Sequence, residues 1–202
     1  MNKAIFGGTF DPIHIGHIHI AYEALYRLSL DEVIFMPNGL PPHKRLKSVT
    51  SEKIRYDMVK EAIKGEKRFS ISSYEISNKK LSYTFETMAH FNELEPDTNW
   101  YFIVGVDSLM TLYTWKNIDA ILNNCTLAVF SRSGYNEEDI RRTKDEVEAR
   151  YKKKVELLNM PLIDISSTDI KDRIANKEEV YYMVPSGVMD IINKNNLYRN
   201  KV

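Results

Sequence analysis

A short apolar run, Ala4-Ile5-Phe6, ends at Gly7-Gly8; Asp11-Pro12 then breaks the backbone, and His14-Ile15-Gly16-His17 leads into a helical pattern. A strand, a glycine turn and a helix start in direct succession form a place to bind an anion. Free N–H groups point out of the first helical turn, and the helix dipole favours negative charge there. His14 and His17, three residues apart, add donors aimed at the same space. The spacing also fits two other roles: capping or packing, and a metal site shared with His19. Zinc needs further ligands at tight spacing, and neither His43 nor His90 offers them, so no metal site is expected.

The rest of the chain repeats the opening alternation. Ile20, Ala21, Ala24, Leu25 and Leu28 form one face of a helix over 17–28, and the β-rich run at 32–36 stops at Pro37. That completes a βαβ unit, which implies a parallel sheet with a right-handed crossover. A loop follows with Pro41, Pro42 and the cations Lys44, Arg45 and Lys47. Helical spacing returns over 51–64, and Gly65 stops it. Strands are expected at 69–76, 100–104, 126–130 and 155–158, the second of them running straight into Gly105. Helices are expected at 84–94 (capped by Thr84), 136–153, 166–175 and 186–194. The charged segment 136–153 carries acid-before-base pairs four apart, Glu137–Arg141, Glu138–Arg142, Glu146–Arg150 and Glu148–Lys152. At about 0.2–0.5 kcal/mol each, these mark a solvated helix and not a binding surface. No repeat, linker or low-complexity tract interrupts the alternation, so residues 1–202 read as one three-layer α/β domain. Its C-terminal helical part, about 166–202, packs on the rest.

Composition narrows the function. The 202 residues hold 28 Lys and Arg against 28 Asp and Glu, so a general nucleic-acid or membrane-surface partner is not expected. An anion site must be local. Cys125, the single cysteine, lies in an apolar run and has no partner for an intrachain disulfide, which points to a reducing, cytoplasmic setting and a buried thiol. No segment reads as a signal peptide, and none approaches the run of about 20 apolar residues that spans a membrane. A homo-oligomer stays open.

Three further stretches carry chemistry. Ser166, Ser167 and Thr168 open a helix with hydroxyls and free N–H groups, which serve equally as a cap or as phosphate donors. His43 and Lys44 follow two stiffening prolines and suit a sugar phosphate. Trp115 lies beyond Gly105-x-Asp107, outside the strand, where an indole can stack on a ring. The segments 38–50 and 105–117 are the candidate loops to close on substrate.

Gly7-Gly8-Thr9-Phe10-Asp11-Pro12-Ile13-His14-Ile15-Gly16-His17 resembles the signature of the HIGH-type nucleotidyltransferase superfamily, and more closely that of bacterial nicotinate-nucleotide adenylyltransferases. Pro41-Pro42-His43-Lys44, Ser82-Tyr83-Thr84, Gly105-x-Asp107, Trp115, Ile165-Ser166-Ser167-Thr168, Tyr182-x-Val184-Pro185 and Leu197-Tyr198 match in order along the whole chain. The resemblance implies a Rossmann-like α/β sandwich and adenylyl transfer from ATP to nicotinate mononucleotide. Mg²⁺ would arrive with the ATP. It assigns ATP contacts to Gly8, Thr9, Phe10, His14, His17, Gly105, Asp107, Ile165, Ser166 and Thr168. Catalytic roles fall to His14, His17 and Lys171. Arginine is usual at the last position, and lysine keeps its charge but loses the bidentate fork, so Arg173 is a second candidate there. The acceptor would be held by Lys44, by Trp115, and by the backbone amides of Thr84 and Lys116. Competing readings are a sister enzyme acting on nicotinamide mononucleotide or phosphopantetheine, and a non-catalytic nucleotide sensor. An aminoacyl-tRNA synthetase, which shares the His-Ile-Gly-His string, would need more chain and a KMSKS loop.

Overall fold

The computed structural model describes residues 1–39, 49–78, 82–131, 134–161 and 163–199. Its apolar runs form β1 (Asn2–Gly8), β2 (Glu32–Pro37), β3 (Phe69–Ile71), β4 (Asn99–Gly105), β5 (Thr126–Phe130) and β6 (Val155–Leu158). They lie in one sheet in the order β3-β2-β1-β4-β5-β6, with every neighbouring pair parallel. The order reverses between β1 and β4, so the connections leave these two strands toward opposite sides. A crevice therefore opens beyond their carboxyl ends, the usual ligand position in such sheets. Both strands end in glycine there, at Gly8 and Gly105.

Period-two alternation in the strands supplies two cores. Ala4, Phe6, Val33, Phe35, Ile103 and Ala128 face α1 (Ile15–Arg27), α2 (Glu52–Ala62), α8 (Ser167–Ala175) and α9 (Ser186–Lys194). Ile5, Ile34, Met36, Phe102, Val104, Leu127 and Val129 face the other layer. That layer holds α3 (Tyr74–Ser77), α4 (Thr84–Leu94), α5 (Val106–Met110), α6 (Ile118–Asn124) and α7 (Glu137–Tyr151). Cys125 is buried here, its thiol donating to the Ile121 carbonyl, and burial pushes its pKa up, away from nucleophilic use.

The structure departs from the sequence pattern in several places, among them the unexpected helix α6. The strand expected over 69–76 stops at Ile71: Ser72 N–H makes a last bond to Phe35 C=O, and the chain turns into α3. There the Tyr74 ring stacks on His90 of α4 at 4.2 Å. Segment 105–117 is not an open loop but α5 and a 3₁₀ turn, Leu112–Thr114; elements of 5 and 3 residues are too short to show a period. Tyr83, not Thr84, occupies the N-cap of α4. On α7, Arg141 does meet Glu137 (3.4 Å), but Arg142 turns to Asp139 (2.7 Å). Glu148 takes Lys144 (2.8 Å) and the Val155 N–H, while Lys152 caps the helix in the left-handed conformation.

Candidate active site

The crevice between β1 and β4 is a cavity of about 920 Å³. Gly8, Thr9, Phe10 and His17 line it from the β1–α1 connection, and Ser167 from the start of α8. Gly105 and Asp107 line it from the end of β4, and Ser82, Tyr83, Thr84, Trp115 and Lys116 from the α4 and 3₁₀ regions. Asn38, Gly39 and Glu75 complete that second set.

The β1–α1 connection is built from the bottom. Phe10 adopts φ 49°, a left-handed conformation unusual for a bulky residue, at a cost of order 1–3 kcal/mol. Its ring is buried and packs edge-on against Phe6 (5.6 Å) and His17 (5.1 Å), which holds the turn in place. His14 is the extended N-cap of α1 and is 4% exposed. Its ring lies 3.7 Å from that of His17, centroid to centroid, and does not itself line the cavity. The backbone N–H of His14 donates to His17 Nδ1 at 3.2 Å. This fixes the His17 tautomer: with Nδ1 accepting, the proton of the neutral ring sits on Nε2.

The start of α8 docks on the same connection. Ser166 caps the helix, accepting from Asp169 N–H at 3.0 Å. Ser167, named in the sequence motif but given no contact of its own, donates to Pro12 C=O (2.9 Å) and lines the cavity. Ile165, Thr168 and Lys171 lie on this segment without lining the cavity. Lys171 Nζ bonds Asp11 Oδ2 at 2.5 Å, and Arg173 is held by Asp169 and Glu178. Asp11 is the hub that sequence reading missed, having registered it only as a backbone breaker. It is 3% exposed and accepts from Lys171, Tyr198 Oη (2.6 Å) and Thr50 N–H (3.3 Å). Burial pushes its carboxyl pKa up, but these donors outweigh burial and hold it below the usual value.

On the other side, Trp115 meets Phe102 edge to face at 6.3 Å, leaving its indole against the cavity. Lys116 Nζ rests 4.4 Å over the Tyr83 ring. The buried Ser82 hydroxyl has no partner among the described residues. Lys44 and its neighbours His43, Pro41 and Pro42 lie outside the described residues.

Glu75 is a second carboxyl that the sequence did not flag. It accepts from the fully buried Thr87 hydroxyl at 2.9 Å, and burial raises its pKa against that bond. A raised carboxyl contributes stability that is complete below the unfolded pKa and lost as pH rises through the folded one. Glu75→Gln, which keeps an acceptor for Thr87, should therefore melt above the wild type at pH 8 and with it at pH 4. Parallel melting curves at the two pH values check this.

No described helix is long and apolar enough to cross a membrane, and no three His, Cys, Asp or Glu among the described residues cluster to hold a metal ion.

A cytidylyltransferase-like family model matches residues 5–173. A probable nicotinate-nucleotide adenylyltransferase of Clostridium novyi is 53% identical over 197 residues, covering 98% of each chain. One of Clostridium kluyveri is 49% identical over 98% of this chain and all of its own. Among solved structures, the Plasmodium falciparum nicotinic acid mononucleotide adenylyltransferase complexed with NaAD superposes with a TM-score of 0.79. It is 21% identical and covers 98% of this chain and 97% of its own, a likeness of fold.

Proposed function

Because the chain belongs to the nicotinate-nucleotide adenylyltransferase family, we infer that it transfers the adenylyl group of ATP to nicotinate mononucleotide, giving nicotinate adenine dinucleotide and pyrophosphate. The observation that carries this reading is one cavity lined by two sets of residues. The first, from the β1–α1 connection and α8, offers a His17 donor and helix-start amides to phosphates. The second, with Trp115 and the Ser82–Thr84 turn, offers an aromatic face and a Ser82 hydroxyl that has no partner among the described residues to a second nucleotide.

The chemistry asks little covalent help of the protein. A phosphate oxygen of the mononucleotide attacks the α-phosphorus in line, the bond to the bridging oxygen breaks, and pyrophosphate leaves. Positioning and charge stabilisation supply the acceleration. His17 donates from Nε2 to phosphoryl oxygens, and His14 sets its tautomer. Ser166, Ser167 and Thr168 present the α8 start to the leaving pyrophosphate, with Lys171 as the adjacent cation. Backbone N–H groups at Thr84 and Lys116 receive the nicotinate carboxylate, Trp115 stacks on the ring, Asp107 takes nucleotide hydroxyls, and Lys44 takes the acceptor phosphate. Mg²⁺ enters on the ATP phosphates as part of the substrate, keeping much of its water. The buried lone thiol fits a cytoplasmic location.

A pyrophosphate-release assay with nicotinate mononucleotide, nicotinamide mononucleotide and phosphopantetheine side by side tests this. The first is expected to give the highest kcat/KM; a higher value for either other acceptor reassigns the substrate. ATP binding without turnover on any of them would mean a sensor. Trp115→Ala should raise the KM for nicotinate mononucleotide about 10-fold with little change for ATP, since stacking on one ring is worth about 1–3 kcal/mol. An unchanged acceptor KM removes the stacking role.

A further inference from the structure

Arg55 on α2 is 1% exposed and forms no ion pair among the described residues. Burying a guanidinium without a carboxylate is unfavourable unless its donors find other partners. Here, among the described residues, its hydrogen bonds all go to backbone carbonyls, and the Asp11 and Glu52 carboxylates favour its charge without pairing with it. Nη1 donates to Thr9 C=O at 2.7 Å, Nη2 to Asn38 at 2.7 Å and to Gly39 at 3.4 Å, and Nε to Thr50 at 3.0 Å. Thr9 stands in the cavity wall beside His17, in the set assigned to ATP. Asn38 and Gly39 follow β2 in the set assigned to the acceptor. Gly39 is itself wedged against α3, where a Cβ would lie 2.4 Å from the Glu75 carbonyl oxygen. The Gly39 backbone thus lies close against that of Glu75, which also lines the cavity.

We propose that Arg55 is a positioning residue that couples the two nucleotide subsites, so that occupation of one changes affinity for the other. The coupling rests on the two-nucleotide reading of the cavity given above. The guanidinium is a rigid planar fork, and its angle is set by several carbonyls at once. When ATP moves Thr9, the fork turns and carries Asn38 and Gly39 with it; by linkage the acceptor acts back on Thr9 to the same extent. The β1–β2 ladder, paired up to Gly8 and Pro37, and the Asn38 N–H bond to Gly8 C=O at 2.8 Å hold the bases of the two segments together. Beyond them the fork ties Thr9 to Asn38 and Gly39 in distance and angle.

Calorimetry on the full chain tests the proposal, measuring the Kd of nicotinate mononucleotide with and without a non-hydrolysable ATP analogue. The wild type should show a change of about 5-fold or more on adding the analogue. In Arg55→Lys, whose ammonium cannot hold Thr9 and Asn38 in a fixed geometry, that ratio should fall below about 2-fold. A merely structural role would lower the melting temperature and weaken both ligands yet leave the ratio intact, and that result overturns the coupling. Should Arg55→Lys not fold, the wild type still decides. The buried Nε–H resonance of Arg55 should shift on adding either ligand alone; an unmoved resonance overturns the proposal. A wild type that binds neither nucleotide overturns the functional reading instead, so the two failures are distinct.

Discussion

His17→Ala is expected to lower kcat about 10²–10³-fold, the effect of deleting one preorganised donor at a centre where negative charge develops. The argument rests on preorganisation. His17 sits in the first turn of α1, where the dipole favours anions, and its ring is held on two sides by His14 and Phe10. Its Nδ1 is occupied by the His14 N–H, so Nε2 carries the proton without any rearrangement during the reaction. Alanine removes this donor but leaves the helix start, Ser167 and the backbone amides in place. The KM for ATP should therefore change much less than kcat. The fold should persist, because Phe6, Phe10 and Phe35 still pack on one another when the His17 ring contacts to Phe6 and Phe10 are lost. Steady-state kinetics with a melting curve on the same sample checks both halves. Turnover above a tenth of the wild-type value in a folded protein removes His17 from the mechanism.

How much of this was legible in the sequence depends on the range of each interaction. The strands were legible because each buried run is apolar and bounded, and Gly8 and Gly105 marked the two that flank the crevice. His14 and His17 were legible because a single helix turn places them together. The pairing that brings β1 beside β4 joins residues about a hundred positions apart, as in the register of Phe6 with Ile103, and no local pattern encodes it. The short α5 and the 3₁₀ turn before Trp115 were hidden for want of length. Asp11 and Arg55 were hidden for another reason. A lone acid beside proline reads as a turn, and a lone arginine in an amphipathic helix reads as surface. Their importance lies in burial, 3% and 1% exposed, and in carbonyls and donors contributed by distant segments. Tyr198 is the extreme case, joining Asp11 across 187 residues.

Asp11→Asn should lower stability by about 3 kcal/mol at pH 7, or about 6–12 °C in Tm for a chain of this size. Three donors converge on the carboxylate, and hydrogen bonds to a charged group are each worth about 1.5–3 kcal/mol. Asparagine keeps the shape and can leave its oxygen with Lys171 and Thr50, but its NH2 group then faces the Tyr198 hydroxyl that donated to Asp11, and the negative charge opposite the Lys171 ammonium is lost. Lys171 is 30% exposed, so water relieves part of the loss, which keeps the expected figure well below the sum. The pH dependence follows from the depressed carboxyl of Asp11. Such a group contributes stability that is fully present above its ordinary pKa and lost as pH falls through the folded one. The gap between wild type and variant should therefore be complete at pH 7 and narrow below about pH 4. A double-mutant cycle with Lys171→Met isolates the pair, and a coupling of about 1–3 kcal/mol is expected for groups in direct contact. Additive effects, or a gap that stays constant from pH 7 to pH 3, would mean that the Asp11 side chain acts through its shape and not its charge.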